Sequence, residues 1–316
     1  MHRAHPPRWK TLIAFAIIYF VWGSTFYAIR VGVRDVPPLL LAAARFTIAG
    51  AVLLAWAVAQ GERLPRQREW AASALMALLI FVVDYGILFL AEQRVPSGTA
   101  AVILATIPAF MALAEILFLR TERLTLRLGS ALLIGLAGVV VLVDPSLGMA
   151  GAPVYALGAA GLLVSAISWS VASVLSKKLP MPSSKVMSAA SQMLIGGLLL
   201  CLVAAAAGEG RGFRVAAVSS GAWIALGYLT VAGSIVGFTA YTWLIHHESP
   251  TKVGTYAYVN PVVAVVVGHF LGGEVLDVRT ALGTALVLVS VVVIATRRRT
   301  TQLRTGELSC RRGVQG

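Results

Sequence analysis

Asp84 stands inside an apolar run, LLIFVVDYGILFL (78–90). A carboxylate there could carry a proton or bind a substrate amine, the tasks that explain most acids kept inside a membrane. Arg45, in LLLAAARFTIAG (39–50), falls at similar depth on the neighbouring run. It reads as a structural charge, paired with Asp84 or snorkelling outward. Tyr256 and Asn260 share one helical face beside Pro261, and two hydrogen-bonding side chains on one face suit a polar cavity wall. Thr106 could face a solute or bond its own preceding-turn carbonyl. Trp22 and Trp169 lie away from the ends of their runs, where membrane tryptophans usually sit. They are either core packing or opposite walls of one cavity. The expected substrate-binding set is therefore Trp22, Asp84, Thr106, Trp169, Tyr256 and Asn260, with Asp84 also the proton-coupling candidate.

Other chemistry finds no footing. The chain has no G-x-x-x-x-G-K-[ST] phosphate loop and no H-E-x-x-H metal motif. Its GSIVG run (233–237) does not have the serine position of a nucleophile elbow. Its two cysteines, Cys201 and Cys310, suggest neither a disulfide framework nor a metal cluster. No catalytic residue, metal or cofactor is expected. A membrane-embedded enzyme would need a nucleophile and a base paired at one depth, and a scaffold or receptor would need a featureless packed centre. These are the alternative readings.

The elements that must position these groups follow from composition. Hydrophobic residues make up 58% and charged residues 12% of the chain, against about 25% charged in a soluble domain. Crossing the hydrocarbon takes about 20 residues. Ten apolar runs qualify: 11–33, 39–59, 70–91, 98–119, 127–143, 155–176, 185–207, 221–243, 250–271 and 280–296, the fifth and tenth being the shortest. They are too long and too evenly apolar for barrel strands, so they predict an all-α membrane protein. Pro108 and Pro261, near the middle of the fourth and ninth runs, are expected hinges. Glu122 and Glu274 sit just before the fifth and tenth runs and could favour helix N-termini.

The net charge of +13 reflects orientation, not nucleic-acid binding. With both termini cytoplasmic, 19 of the 26 Lys and Arg fall inside and six outside, and Arg45 lies within a span. That asymmetry sets topology and predicts a multi-pass protein of the bacterial cytoplasmic (inner) membrane. The lipid bilayer, a small-molecule substrate and protons are the expected partners, and a homodimer is left open.

The chain also repeats itself. Trp22 to Trp169, Arg45 to Gln192 and Gly50 to Gly197 are each 147 positions apart; Pro108 to Pro261 is 153; Glu122 to Glu274 and Arg127 to Arg279 are 152. Each copy holds five spans, so the second copy must lie upside down relative to the first. Such inverted repeats form midplane sites that open to alternate sides. The division reads as a cytoplasmic segment (1–10), a first repeat (11–143), a second repeat (155–296) and a basic cytoplasmic tail (297–316).

The order and spacing of WGSTF (22–26), Arg45–Phe46, AEQRVPSGTAA (91–101), ATIP (105–108), Asn260–Pro261 and the two Glu junctions give a resemblance. The chain resembles the EamA-type permeases of the drug/metabolite transporter superfamily. The resemblance implies ten helices in two inverted five-helix repeats. It also implies a central cavity lined by helices one, three, four, six, eight and nine, and transport that is commonly export of amino acids, related metabolites or toxic amphipathic compounds.

Overall fold

A computed structural model describes residues 7–120, 125–143, 152–248, 250–274 and 278–295. These form ten long helices: α1 (Arg8–Gly32), α2 (Pro38–Ala59), α3 (Gln67–Ala91), α4 (Ser97–Leu119), α5 (Leu126–Val143), α6 (Ala152–Leu175), α7 (Lys185–Ala206), α8 (Ser220–His247), α9 (Tyr256–Gly272) and α10 (Val278–Ala295). Local chemistry sets their starts. Pro38 opens α2 at a position where a missing N–H costs nothing. Ser184 and Ser219 accept from Met187 N and Ala222 N, each at 3.2 Å, and so cap α7 and α8. Phe20, Trp56, Leu202, Ile224 and Phe270 are exposed, so the outer surface is as apolar as the interior, as lipid contact requires.

The two copies interlock through small residues. Gly50 of α2 abuts the backbone of Leu194 on α7, and Gly197 of α7 abuts the backbone of Thr47 on α2. Thr47 and Leu194 are themselves 147 positions apart, as Gly50 and Gly197 are. The contact is thus the same contact made twice. The α5–α10 pair behaves alike: Gly135 meets Ser290, and Gly138 meets Val287. Close backbone approach at small residues is how membrane helices gain dispersion contacts where lipid supplies no hydrophobic drive. The other six helices, α1, α3, α4, α6, α8 and α9, surround the centre.

Several spans depart from continuous α-helix. α4 is interrupted at Ala105–Thr106, and Pro108 lies in the first turn of its second half (Ile107–Ala114). The break therefore precedes the proline, whose absent N–H falls where none is needed. Pro261, by contrast, lies inside α9. The ninth run was expected to be one span from 250. A short turn, Pro250–Val253, is instead separated by Gly254–Thr255 from α9, which at 17 residues is shorter than α5 or α10. α3 and α8 carry π-helical segments, Leu78–Tyr85 and Leu229–Phe238. Their ends are 151 and 153 positions apart, so they are repeat counterparts. Glu122 lies outside the described residues.

Candidate functional site

The π-helical segments hold site residues. One π turn adds a residue to the helical circuit and re-aims the side chains around it. In α3 that places Asp84 and Tyr85 toward the centre. In α8 it presents Gly233 O, which accepts from Trp22 Nε1 at 3.0 Å, and Ser234 Oγ, which accepts from Arg45 Nε at 2.7 Å. Gly237 leaves room for the Trp22 indole, which a Cβ there would strike.

Trp22 and Trp169 meet at the centre with ring centroids 5.5 Å apart, edge to face. Tyr256 stands edge-on to Trp22 at 5.2 Å, and Tyr241 lies 5.2 Å from Trp22 and 4.9 Å from Trp169. Tyr85 and Phe238, a further pair of repeat counterparts, flank Trp169 at 6.0 and 6.4 Å. The result is an aromatic box assembled from both copies. Edge-to-face pairs contribute about 0.5–1.5 kcal/mol each beyond their burial. Trp169 Nε1 is buried without a well-formed hydrogen bond, although the Tyr241 and Tyr256 side chains stand beside it.

A cavity of about 50 Å³ opens beside this box, lined among others by Trp22, Asp84, Tyr85, Trp169, Tyr256 and Asn260. Its walls come from α1, α3, α4, α6 and α9, while α8 contributes Tyr241 and Phe238 behind them. That volume admits water and little else; a metabolite requires the helices to part. A larger groove of about 540 Å³ lies on the outer surface among α1, α2, α7 and α8, against Trp9, Trp56 and Trp243. No set of polar groups converges there.

The expected site residues divide as follows. Trp22, Asp84, Trp169, Tyr256 and Asn260 come together on the cavity wall. With its amide nitrogen turned toward α1, Asn260 donates to Tyr19 O at 2.8 Å. Thr106 is not on the wall; its hydroxyl donates to Ile103 O at 2.7 Å. Asp84 and Arg45 do not pair. Asp84, 4% exposed, accepts through Oδ1 from the Ser165 hydroxyl of α6. Arg45, 1% exposed, neither pairs nor snorkels. Its guanidinium lies over Phe46, Tyr85 and Phe89 at 4.6, 5.1 and 5.9 Å, and Nη1 has no partner. Cation–π contacts of this kind are worth about 0.5–2 kcal/mol each. Glu274 caps a helix N-terminus, but that of α4: its carboxylate accepts from Ser97 N at 3.0 Å and Gly98 N at 3.2 Å. Tyr85, Phe238 and Tyr241 are site members that sequence reasoning did not select, and Ser165, which the sequence places on one polar stripe with Trp169, was not among the expected binding residues. Aligning α3 with α8 through the repeat would have matched Tyr85 with Phe238.

An inverted-repeat bundle of ten membrane helices, with aromatic residues of both copies meeting around a central polar cavity, defines a multi-pass transporter architecture. The EamA-like transporter family matches residues 9–144 and 156–296, and the chain belongs to that family. Over 284 residues it is 38% identical to YedA of Escherichia coli K12, named as an inner membrane transporter, covering 89% of each chain. It is 28% identical to a WAT1-related chloroplastic protein of Arabidopsis thaliana, over 90% of this chain and 69% of that one. A solved crystal structure superposes with a TM-score of 0.64 at 26% identity, covering 90% of this chain and 96% of the other. These relatives agree with membership of the drug/metabolite transporter superfamily.

Proposed function

We propose that the protein is a secondary transporter that exports a small amphipathic metabolite or toxicant by alternating access. The face bearing the chain termini is cytoplasmic in this reading, which the Lys and Arg asymmetry supports. Asp84 takes up a proton or a solute amine, and the Trp22, Trp169 and Tyr256 rings hold the apolar part. The observation that carries the reading is the meeting of repeat-equivalent tryptophans beside a cavity that is also lined by a buried carboxyl group. The small cavity volume fits a state closed to both sides. Energy comes from the proton gradient or the solute's own gradient, and no cofactor takes part.

The test compares cells overproducing the wild type with cells overproducing Asp84→Asn across a panel of metabolites and toxicants. Resistance and extracellular accumulation are scored, and any hit is followed by flux into proteoliposomes. The wild type should confer resistance that Asp84→Asn lacks. Flux indifferent to a pH gradient in either direction would end proton coupling. Unchanged flux in Asp84→Asn would remove Asp84 from the mechanism, and no flux for any compound would favour a scaffold.

A further inference from the structure

The face opposite the termini, here the far face, carries a polar cluster that the central site does not use. α9 ends at Gly273 in the left-handed conformation (φ 64°), and the next residue, Glu274, turns its carboxylate onto the start of α4. Ser97 Oγ donates to it at 2.6 Å, and Arg30 Nε of α1 lies 3.4 Å away. Arg30 Nη1 also donates to Val95 O at 2.8 Å, and Tyr27 OH donates to Leu271 O at 2.7 Å. The cluster therefore clasps α1, α9 and the α3–α4 loop together.

Glu92, just past the end of α3, faces this clasp. It is 1% exposed, and neither carboxylate oxygen has a well-formed hydrogen bond, although the Arg30 backbone stands beside it. Its charged neighbours are Arg30 and Glu274. His269 faces the same junction, with Nδ1 3.0 Å from the Glu274 carbonyl. An ionised carboxylate buried without partners is strongly disfavoured. Burial pushes the Glu92 carboxyl well above the usual carboxylate range; Arg30 opposes this and Glu274 adds to it.

On the face bearing the termini, Lys177 stands where Arg30 stands on the far face, with Glu115 and Glu248 as its acidic neighbours. Arg30 and Lys177 are repeat counterparts, 147 positions apart, and Val95 and Glu248 are 153 apart. Lys177 Nζ donates to Glu248 O at 3.0 Å, as Arg30 does to Val95 O. The counterpart of Glu92 is Ile245, whose carbonyl also accepts from Lys177.

We propose that Glu92 is a proton-binding site that gates the far face, proton uptake closing the Arg30–Glu274 clasp and proton release opening it. This rests on the alternating-access reading. A neutral Glu92 leaves Arg30 to Glu274 and Val95 O. An ionised Glu92 repels Glu274 and competes for Arg30. The closed form binds the proton more tightly, so closure is favoured at low pH and lost as pH rises through the closed-form value. Each pH unit between the open-form and closed-form values changes the closed-to-open ratio about tenfold. A gate of this sign on the far face lets a proton from that side return the emptied carrier inward.

Accessibility tests this without a known substrate. Ala101, on the cavity wall, is replaced by cysteine in a Cys201→Ala, Cys310→Ala background. Right-side-out vesicles are labelled with a membrane-impermeant maleimide between about pH 5.5 and about pH 8.5, a range bracketing a raised carboxyl. Rates are normalised to Arg211→Cys, in an exposed far-face loop, which removes the thiol's own pH dependence. Labelling of the parent should rise by about tenfold or more with pH. Glu92→Gln should label slowly, and Arg30→Gln quickly, at both ends of the range. Glu92→Asp should shift the midpoint, which covers the case in which Glu92→Gln does not fold. A pH-independent parent with fast labelling in Arg30→Gln would overturn the role of Glu92 and leave alternating access standing, as would a parent-like response in Glu92→Gln. Absence of labelling in every background, Arg30→Gln included, would overturn alternating access itself and the gate with it.

Discussion

Adding one carbon to the α2–α7 seam should loosen the whole bundle. A Cβ on Gly50 would stand 2.7 Å from Leu194 Cα, and one on Gly197 would stand 2.8 Å from Thr47 Cα. Carbon atoms rest at about 3.5–4.0 Å, so the helices must separate by roughly 1 Å. The obstructing atoms include backbone N and Cα on both sides, which have no rotamer to yield. A gap of that size forfeits about a quarter to a half of each dispersion contact along the seam, and overpacking costs about 1–3 kcal/mol. Gly→Ala also gains up to about 1 kcal/mol of helix propensity, so the measured quantity is the contrast with Gly227→Ala, where nothing lies within 4 Å of the added carbon. At roughly 2–4 °C per kcal/mol, each seam variant should melt about 2–12 °C below that control in detergent, read by loss of the monodisperse gel-filtration peak. The double variant should lose less than the sum, because one separation relieves both collisions. Seam variants that melt with the control, or a double variant whose loss is the full sum, would refute this account of the seam.

Three further outcomes are expected. Trp22→Phe keeps a ring in the box but loses the bond to Gly233 O, a cost of about 1 kcal/mol in stability; Trp22→Ala should also abolish any resistance phenotype, checked in the overproduction screen. Ser165→Ala removes the donor to Asp84 Oδ1 and should move the pH profile of proteoliposome flux, whereas Ser165→Thr should preserve it. Gly268→Ala would set a carbon 2.7 Å from Glu274 Oε2 and should cost roughly 0.5–2 kcal/mol through the lost α4 cap; Glu274→Gln, which keeps the side chain's size, should melt closer to the wild type.

The helices, their number and the inverted repeat were legible in the sequence because apolar run length and fixed residue spacing report them directly. The sequence left Trp22 and Trp169 open between core packing and opposite walls of one cavity, because matched repeat positions do not by themselves say which way a ring points; in the structure the two rings meet beside the cavity. The departures have physical causes. Both faces of α3 and α8 are apolar in a bilayer, so no amphipathic period marks where the π-helical segments begin. The break in α4 falls ahead of Pro108 because the proline serves as a helix start. Arg45 was the charged partner expected for Asp84 at similar depth, and a serine 81 residues away carries no signal to rival an arginine. Glu274 lies beside α10 in the chain but caps α4, 176 and 177 residues away, a contact set by tertiary structure.

The reciprocal seam also bears on how the two halves can differ. A patch that meets its own copy through a two-fold rotation is the interface that a pair of identical chains uses to dimerise. While the halves are identical, every substitution lands twice, and a charge placed at the Asp84 position would enter the buried centre in duplicate. Once both halves belong to one chain, each position changes singly. Gly237 could then remain small opposite Asp84, and Ile245 apolar opposite Glu92. In the proposed alternating-access cycle, the symmetric backbone carries the motion, and the broken symmetry of the side chains gives it a direction.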